Sequence, residues 1–144
     1  MVSTVTLEEI YEDFEDLPDW EARCDYLIDL GFELPEFPSA HKTEANRVHG
    51  CQSMVWLTAE LDQDHNPPVL EIQADSDAMI VKGLIAVILA IYSGRPLEDV
   101  VNTDVEEIFA KLGLTRHLSP ARRNGLFGMV KRIRQLAIEK MSQT

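Results

Sequence analysis

SMVWLTAELDQDHNPPVLEIQADSDAMIVKGLIAVILAIY, residues 53 to 92, is the stretch from which the fold follows. Ser53, Val55, Leu57, Ala59 and Leu61 fall on one side of it and Met54, Trp56, Thr58 and Glu60 on the other, the period-two pattern of a strand. The run DQDHNPP, residues 62 to 68, is rich in turn formers, and Val69 to Ala74 makes a second strand able to return antiparallel to the first. Asp75, Ser76 and Asp77 then supply an N-cap and negative charge beside the positive end of a helix dipole. From Ala78 to Tyr92 the only charged residue is Lys82, so this helix is apolar nearly all round and belongs in the middle of the domain. Gly94 and Pro96 close it, and residues 47 to 49 are placed to add a short third strand.

Outward from this centre, helices account for most of the chain. Thr6 and Glu9 have capping-box spacing, and Leu7, Ile10, Tyr11, Phe14 and Leu17 share a face, predicting a helix over about 7 to 16 that Pro18 ends. Trp20, Cys24, Leu27 and Ile28 mark the inner stripe of a second helix, with Gly31 as its C′ residue. Pro35 and Pro38 favour an extended surface connection from Phe32 to Asn46. Beyond the central helix, residues 102 to 104 start a short helix carrying Val105, Ile108, Phe109 and Leu112, which Gly113 ends. Ser119 and Pro120 are an N-cap and N1 pair opening a last helix of about twenty residues.

Composition narrows the function classes. The chain has 144 residues, of which 45% are hydrophobic, enough for a single domain over residues 1 to 144 that buries about two thirds of its unfolded surface. Thirteen basic against twenty-five acidic residues give a net charge of -12, which opposes binding to nucleic acid or anionic membrane and points to protein partners. The N-terminal MVSTVTLEE lacks the basic start and apolar run of a signal peptide, and no apolar segment reaches membrane-spanning length. The expectation is a cytoplasmic protein whose two cysteines, Cys24 and Cys51, are free thiols.

One of these cysteines stands in a conspicuous place. Within NRVHGCQSMVWL, residues 46 to 57, Cys51 follows Gly50 and precedes the first strand, so the thiol falls at a turn. Gly50 permits positive φ, and the successive N–H groups of a tight turn favour thiolate over thiol. A free cysteine is also a common buried hydrophobe, and that reading stands beside the reactive one. Cys24 lies on a helical stripe and reads as a packing residue.

The last helix adds a second candidate, beside the plain reading that Arg122 pairs with an acidic residue and that Lys131, Arg132, Arg134 and Lys140 solubilise the outer face. Its stripe of Leu126, Val130, Ile133 and Ala137 extends back four positions to Arg122, placing a guanidinium at the inward edge of the first turn, where it calls for an anion. Gly125 and Gly128 each cost the helix roughly 1 kcal/mol relative to alanine, a cost explained if another backbone passes close by. For metal, His49 and Cys51 with His41, His65 and His117 lack C-x-x-C or H-x-x-x-H spacing, and the ligand count is short. No phosphate-binding Gly-rich loop, nucleophile elbow or internal repeat appears.

The segments DWEARCDYLIDLG, LPEFP, NRVHGCQSMVWL, ADSDAMIVKGLIAVILAIYSG and LGLTRHLSPARRNGL, followed by a basic helix, resemble in order the SufE family of sulfur acceptors, over residues 6 to 138. The resemblance implies an α+β fold, with a small antiparallel sheet of about three strands packed against several helices. It implies that Cys51 accepts sulfur, with Gly50, Gln52 and Ser53 as its loop neighbours. Asp75 corresponds to the helix-opening acid of the family, and Arg122 to its partner-proximal arginine. A cysteine desulfurase would supply the sulfur as a persulfide, and an iron–sulfur scaffold would receive it later. The pyridoxal phosphate would belong to the desulfurase, leaving this chain with no cofactor of its own. His49 and Cys24 depart from the family pattern. The competing class is an interaction module whose Cys51 is inert or redox-sensing.

Overall fold

The computed structural model describes residues 5–50 and 53–143. Strands β1 (Val55–Asp62) and β2 (Val69–Ser76) pair antiparallel over their whole length, with Val55 opposite Ser76 and Asp62 opposite Val69. The third strand is β3 (Arg95–Pro96), on the far edge of β2, in the order β1-β2-β3. Residues 47 to 49 therefore do not make the third strand. Arg47 bridges Trp56, and Val48 N–H donates to Val55 O at 2.8 Å. A 3-10 turn at Glu44–Asn46 before this bridge and a φ of 88° at Gly50 after it keep the contact short.

Helix α3 (Met79–Tyr92) is the centre, with Val81, Gly83 through Ile88, Ile91 and Tyr92 all buried. It begins later than the sequence suggests. Its N-cap is Ala78, which makes no side-chain capping bond, while Asp75 and Ser76 still belong to β2. Of the polar groups expected to cap α3, Ser76 Oγ accepts from the N–H of Ala78 at 3.2 Å, whereas Asp77 is engaged elsewhere: Asp77 Oδ1 accepts from Met54 N–H at 3.0 Å, and Asp77 N–H donates to Met54 O at 3.2 Å. The two Asp77 bonds tie the start of β1 to the chain just beyond β2.

Helix α2 (Trp20–Phe32) packs on α3 at backbone distance. A Cβ on Gly83 would collide with the Leu27 carbonyl, and one on Gly31 would lie 2.7 Å from Lys82 Cβ and 2.8 Å from Gly83 N. Gly31 is thus a packing glycine inside the helix and not its C′ residue. The buried side of α2 is Leu27, Leu30 and Gly31, so the true stripe is rotated from the expected one and leaves Cys24 and Ile28 half-buried.

Around this pair, α1 (Leu7–Glu15) carries the predicted Thr6 and Glu9 capping box. Tyr26 O–H donates to Asp13 Oδ2 at 2.7 Å, and an Arg23 N–H to Phe14 O at 2.9 Å, holding α1 on α2. Helices α4 (Leu97–Asn102) and α6 (Leu114–His117) have no counterpart in the sequence pattern, since six and four residues are too few to display a period. Between them α5 (Val105–Lys111) starts at its Asp104 cap, and Gly113 follows it with φ 77°. Helix α7 (Pro120–Ser142) opens on Ser119 and buries Leu126, Met129, Val130, Ile133 and Ala137. Among the described residues no helix is long and apolar enough to cross a membrane.

The contact between α2 and α3 generates a test of the fold. Gly83→Ala forces backbone against backbone and should cost roughly 2–3 kcal/mol in urea unfolding, the usual scale of overpacking. A loss below about 0.5 kcal/mol would show that the two helices are free to separate.

Candidate functional site

Cys51 and Gln52 lie outside the described residues, and the site is defined by what frames them. On the near side Val48 is buried and bonded to β1. The backbone of His49 rests on α7, where a Cβ at Gly128 would lie 3.6 Å from His49 O and 3.9 Å from Val48 Cγ1. A passing backbone, inferred from the glycines of the last helix, is therefore present at Gly128. Gly50 is exposed, and its φ of 88° is a conformation that disfavours any side chain. On the far side Ser53 is half-buried, Met54 is held by Asp77, and Val55 enters the core. The chain is anchored at residues 48 and 54, close on either side of Cys51 in sequence.

Ser53 and Val55 border a cavity of about 30 Å³ together with Val81 and Leu84 of α3 and Ala121, Arg122, Gly125, Leu126 and Met129 of α7. The space suits about one or two water-sized groups. It is roughly a tenth of the smallest small-molecule pockets, which begin at about 300 Å³. Apolar side chains form most of the wall, and Arg122 supplies its charge. The Arg122 backbone N–H donates to Ser119 Oγ at 3.3 Å, but among the described residues its guanidinium has no partner. The neighbouring Arg123 is already engaged, donating to Thr115 O at 3.1 Å. Arg122 is thus the cation of that turn left available to an anion.

The structure brings Ser53 and Arg122 together and sets Asp75 apart from them. Asp75 is opposite Trp56 in the sheet register, on the side facing away from Val55 and Ala74. Its carboxylate accepts from Ser76 N–H at 2.8 Å and pairs with Lys42 at 3.1 Å and Lys82 at 3.5 Å. Lys42 also stands 5.2 Å from the centroid of the Trp56 ring. Asp75 therefore joins three segments: the 39–46 connection, the end of β2, and α3. Sequence reasoning missed Lys42, which carries no periodic signal. It did single out Lys82 as the lone charge of α3, and this ion pair is the reason that charge is tolerated. Met129 was also missed as a cavity wall, although its i+3 spacing from Leu126 was visible.

The remaining thiol and imidazole are accounted for locally. Cys24 is free and half-buried, and burial, followed by the carboxylate of Asp25, pushes its thiol up, with a Trp20 hydrogen bond opposing and Glu21 adding a smaller push. These surroundings suppress thiolate. His49 Nε2 lies 2.9 Å from Glu44 Oε2 on the surface. Among the described residues no three His, Cys, Asp or Glu side chains cluster as metal ligands.

Comparison with known proteins identifies the family and the fold. The sequence profile described as "SufE: Fe-S metabolism associated domain" matches residues 8–137. An uncharacterised SufE-like protein of Rhizobium etli is 47% identical over 132 residues, covering 92% of this chain and 89% of that protein. Another from Rhizobium meliloti is 44% identical, covering 92% of this chain and 94% of its own. The solution structure of a hypothetical protein from Thermus thermophilus has the same fold, with a TM-score of 0.74 and 22% identity across 94% of this chain and 96% of that one.

The surroundings of Cys24 predict its reactivity. In a Cys51→Ser protein, where Cys24 is the remaining thiol, alkylation by iodoacetamide should rise with pH through a midpoint above 9.0, the ordinary thiol value from which this one is displaced. The sign follows because only thiolate reacts, and a raised pKa leaves less of it at every pH below the midpoint. A midpoint near or below about 8 would mark Cys24 as an activated thiol.

Proposed function

The chain belongs to the SufE family of proteins associated with iron–sulfur metabolism, and from that premise we propose that Cys51 accepts sulfur as a persulfide from a cysteine desulfurase. The observation that carries this reading is the cavity bordered by Ser53 and Arg122. Its volume suits a cargo of one added atom and is too small for a cofactor or an ordinary small-molecule substrate.

The reaction is a thiol exchange. The Cys51 thiolate attacks the terminal sulfur of the donor's persulfide, an S–S bond forms at Cys51, the donor's S–S bond breaks, and the donor thiolate departs. Electrons and atoms balance without an outside oxidant. The Arg122 guanidinium favours first the attacking thiolate and then the anionic persulfide, because a nearby cation stabilises the charged form. Apolar walls from Val81, Leu84 and Leu126 shelter the terminal sulfur from competing thiols. Gly50 supplies the backbone freedom for the thiol to meet the donor, and Gln52 and Ser53 complete the loop. Asp75 holds the adjoining segments around the site and stands at the surface the partner meets. The pyridoxal phosphate stays with the desulfurase, whose turnover this protein stimulates by removing the sulfur. An iron–sulfur scaffold in the cytoplasm receives the cargo.

Two measurements test this reading. After incubation with a bacterial cysteine desulfurase and cysteine, peptide mass spectrometry should find one added sulfur on Cys51 and none in Cys51→Ser; sulfur on Cys24 would contradict the assignment. Arg122→Ala should lower kcat/KM for sulfur loading by about tenfold or more, the loss of a charge-assisted contact. Arg95→Ala is the control, since Arg95 pairs near the opposite end of β2 from Ser76 and Val55. Equal losses from both arginines would reduce the Arg122 effect to general surface charge.

A further inference from the structure

Helix α7 carries six of the chain's thirteen basic residues and one acid, Glu139, in a protein whose net charge is -12. Not all of these cations are engaged in holding the fold. Arg123 and Arg134 donate to the carbonyls of Thr115 and Thr103, at 3.1 and 2.8 Å. Lys131 and Arg132, among the described residues, have neither an ion pair nor a side-chain hydrogen bond. Both line a groove of about 390 Å³ whose opposite wall includes Glu44, Arg47 and His49. Gly128 also lines the groove and, having no side chain, leaves it open where His49 O crosses at van der Waals distance.

The groove is basic on both walls. Glu44 is its one carboxylate, and it is shared between Arg47 at 3.7 Å and His49 at 2.9 Å. Arg47 Nε is buried without a hydrogen-bond partner, so one of the groove's cations is left incompletely satisfied. The lining therefore offers three permanent cations against one carboxylate, in a protein whose net charge is -12. It also adjoins Cys51 in sequence, since His49 is two residues before it.

We infer that this groove docks an extended acidic segment, bearing two or more carboxylates, of the protein that donates sulfur to Cys51. The inference rests on the reading of Cys51 as acceptor thiol. A basic groove on a protein of net charge -12 orients encounter, drawing an acidic segment to the wall formed by residues next to Cys51 in sequence. The chain's net charge weighs against a nucleic-acid backbone as the occupant.

Two experiments on the full chain test it. Hexaglutamate titrated into ¹⁵N-labelled protein should shift the amides of residues 44 to 49, 128, 131 and 132, and Arg132→Glu should weaken that binding by about fivefold or more. Shifts centred on Arg116 or Arg122, or equal shifts from inorganic phosphate at the same concentration, would overturn the extended acidic occupant. In sulfur loading by a bacterial cysteine desulfurase, Arg132→Glu should raise the KM for this protein by about fivefold at low salt with kcat unchanged, the difference fading near 0.5 M salt. An unchanged KM with normal loading of Cys51 would overturn the docking site and leave the acceptor assignment standing. Failure of Cys51 to load at any protein concentration, with hexaglutamate still bound, would instead defeat the acceptor reading and remove the donor as occupant.

Discussion

The contact that the rest of the structure depends on is the backbone approach of α2 to α3 through Gly31 and Gly83. An apolar helix must be covered on nearly every side, and α2 covers one side at a distance that admits no Cβ. The same turn of α3 serves two other surfaces. Val81 and Leu84 floor the cavity beside Ser53, while Lys82 reaches the Asp75 carboxylate on the opposite side. One turn thus fixes α2, that cavity and the segment after the first helices in a single arrangement. A change in the helix contact would be felt at the site through these neighbouring residues.

The site itself is built from modest parts. Hydrogen bonds from Val48 to Val55 and from Met54 to Asp77 anchor the chain near residues 48 and 54, and the backbone of residue 49 lies on Gly128. Charge is arranged with the same economy: Arg123 and Arg134 bond to carbonyls within the fold, whereas Arg122 faces a cavity and Lys131 and Arg132 face a groove. The partly exposed Asp75 pairs have modest individual strength, but two lysines on one carboxylate cross-link three segments.

Much of this is legible in the residues. The alternation from Val55, the turn at 62 to 68 and the nearly uncharged run to Tyr92 specify the hairpin and central helix, and Thr6, Asp104 and Ser119 mark true helix starts. Arg122 and Gly128 are inward and close-packed as their positions suggest, because helical periodicity projects directly into space. What the residues leave ambiguous are decisions between two uses of one residue type. Gly31 serves packing where a cap is expected, and Asp75 and Asp77 serve β2 and Met54 where helix capping is expected, because tertiary partners outcompete local ones. The third strand is expected at 47 to 49 for want of a signal at Arg95–Pro96, two residues that show no alternation and pair only because Gly94 turns the chain back, at φ 78°, toward Leu70. Lys42 is invisible for a related reason: its partners, Asp75 and Trp56, are distant in sequence.

The central claim is that the small cavity shelters the terminal sulfur carried on Cys51. The most direct measurement is the lifetime of the Cys51 persulfide in the presence of glutathione, followed by mass spectrometry, for the parent protein and for Ala121→Val, which adds two methyl groups at the cavity wall. If the cavity holds the sulfur, the variant should keep its fold and melting temperature while its persulfide is lost several-fold faster. Equal lifetimes in two equally folded proteins would show that the terminal sulfur resides elsewhere and contradict the account.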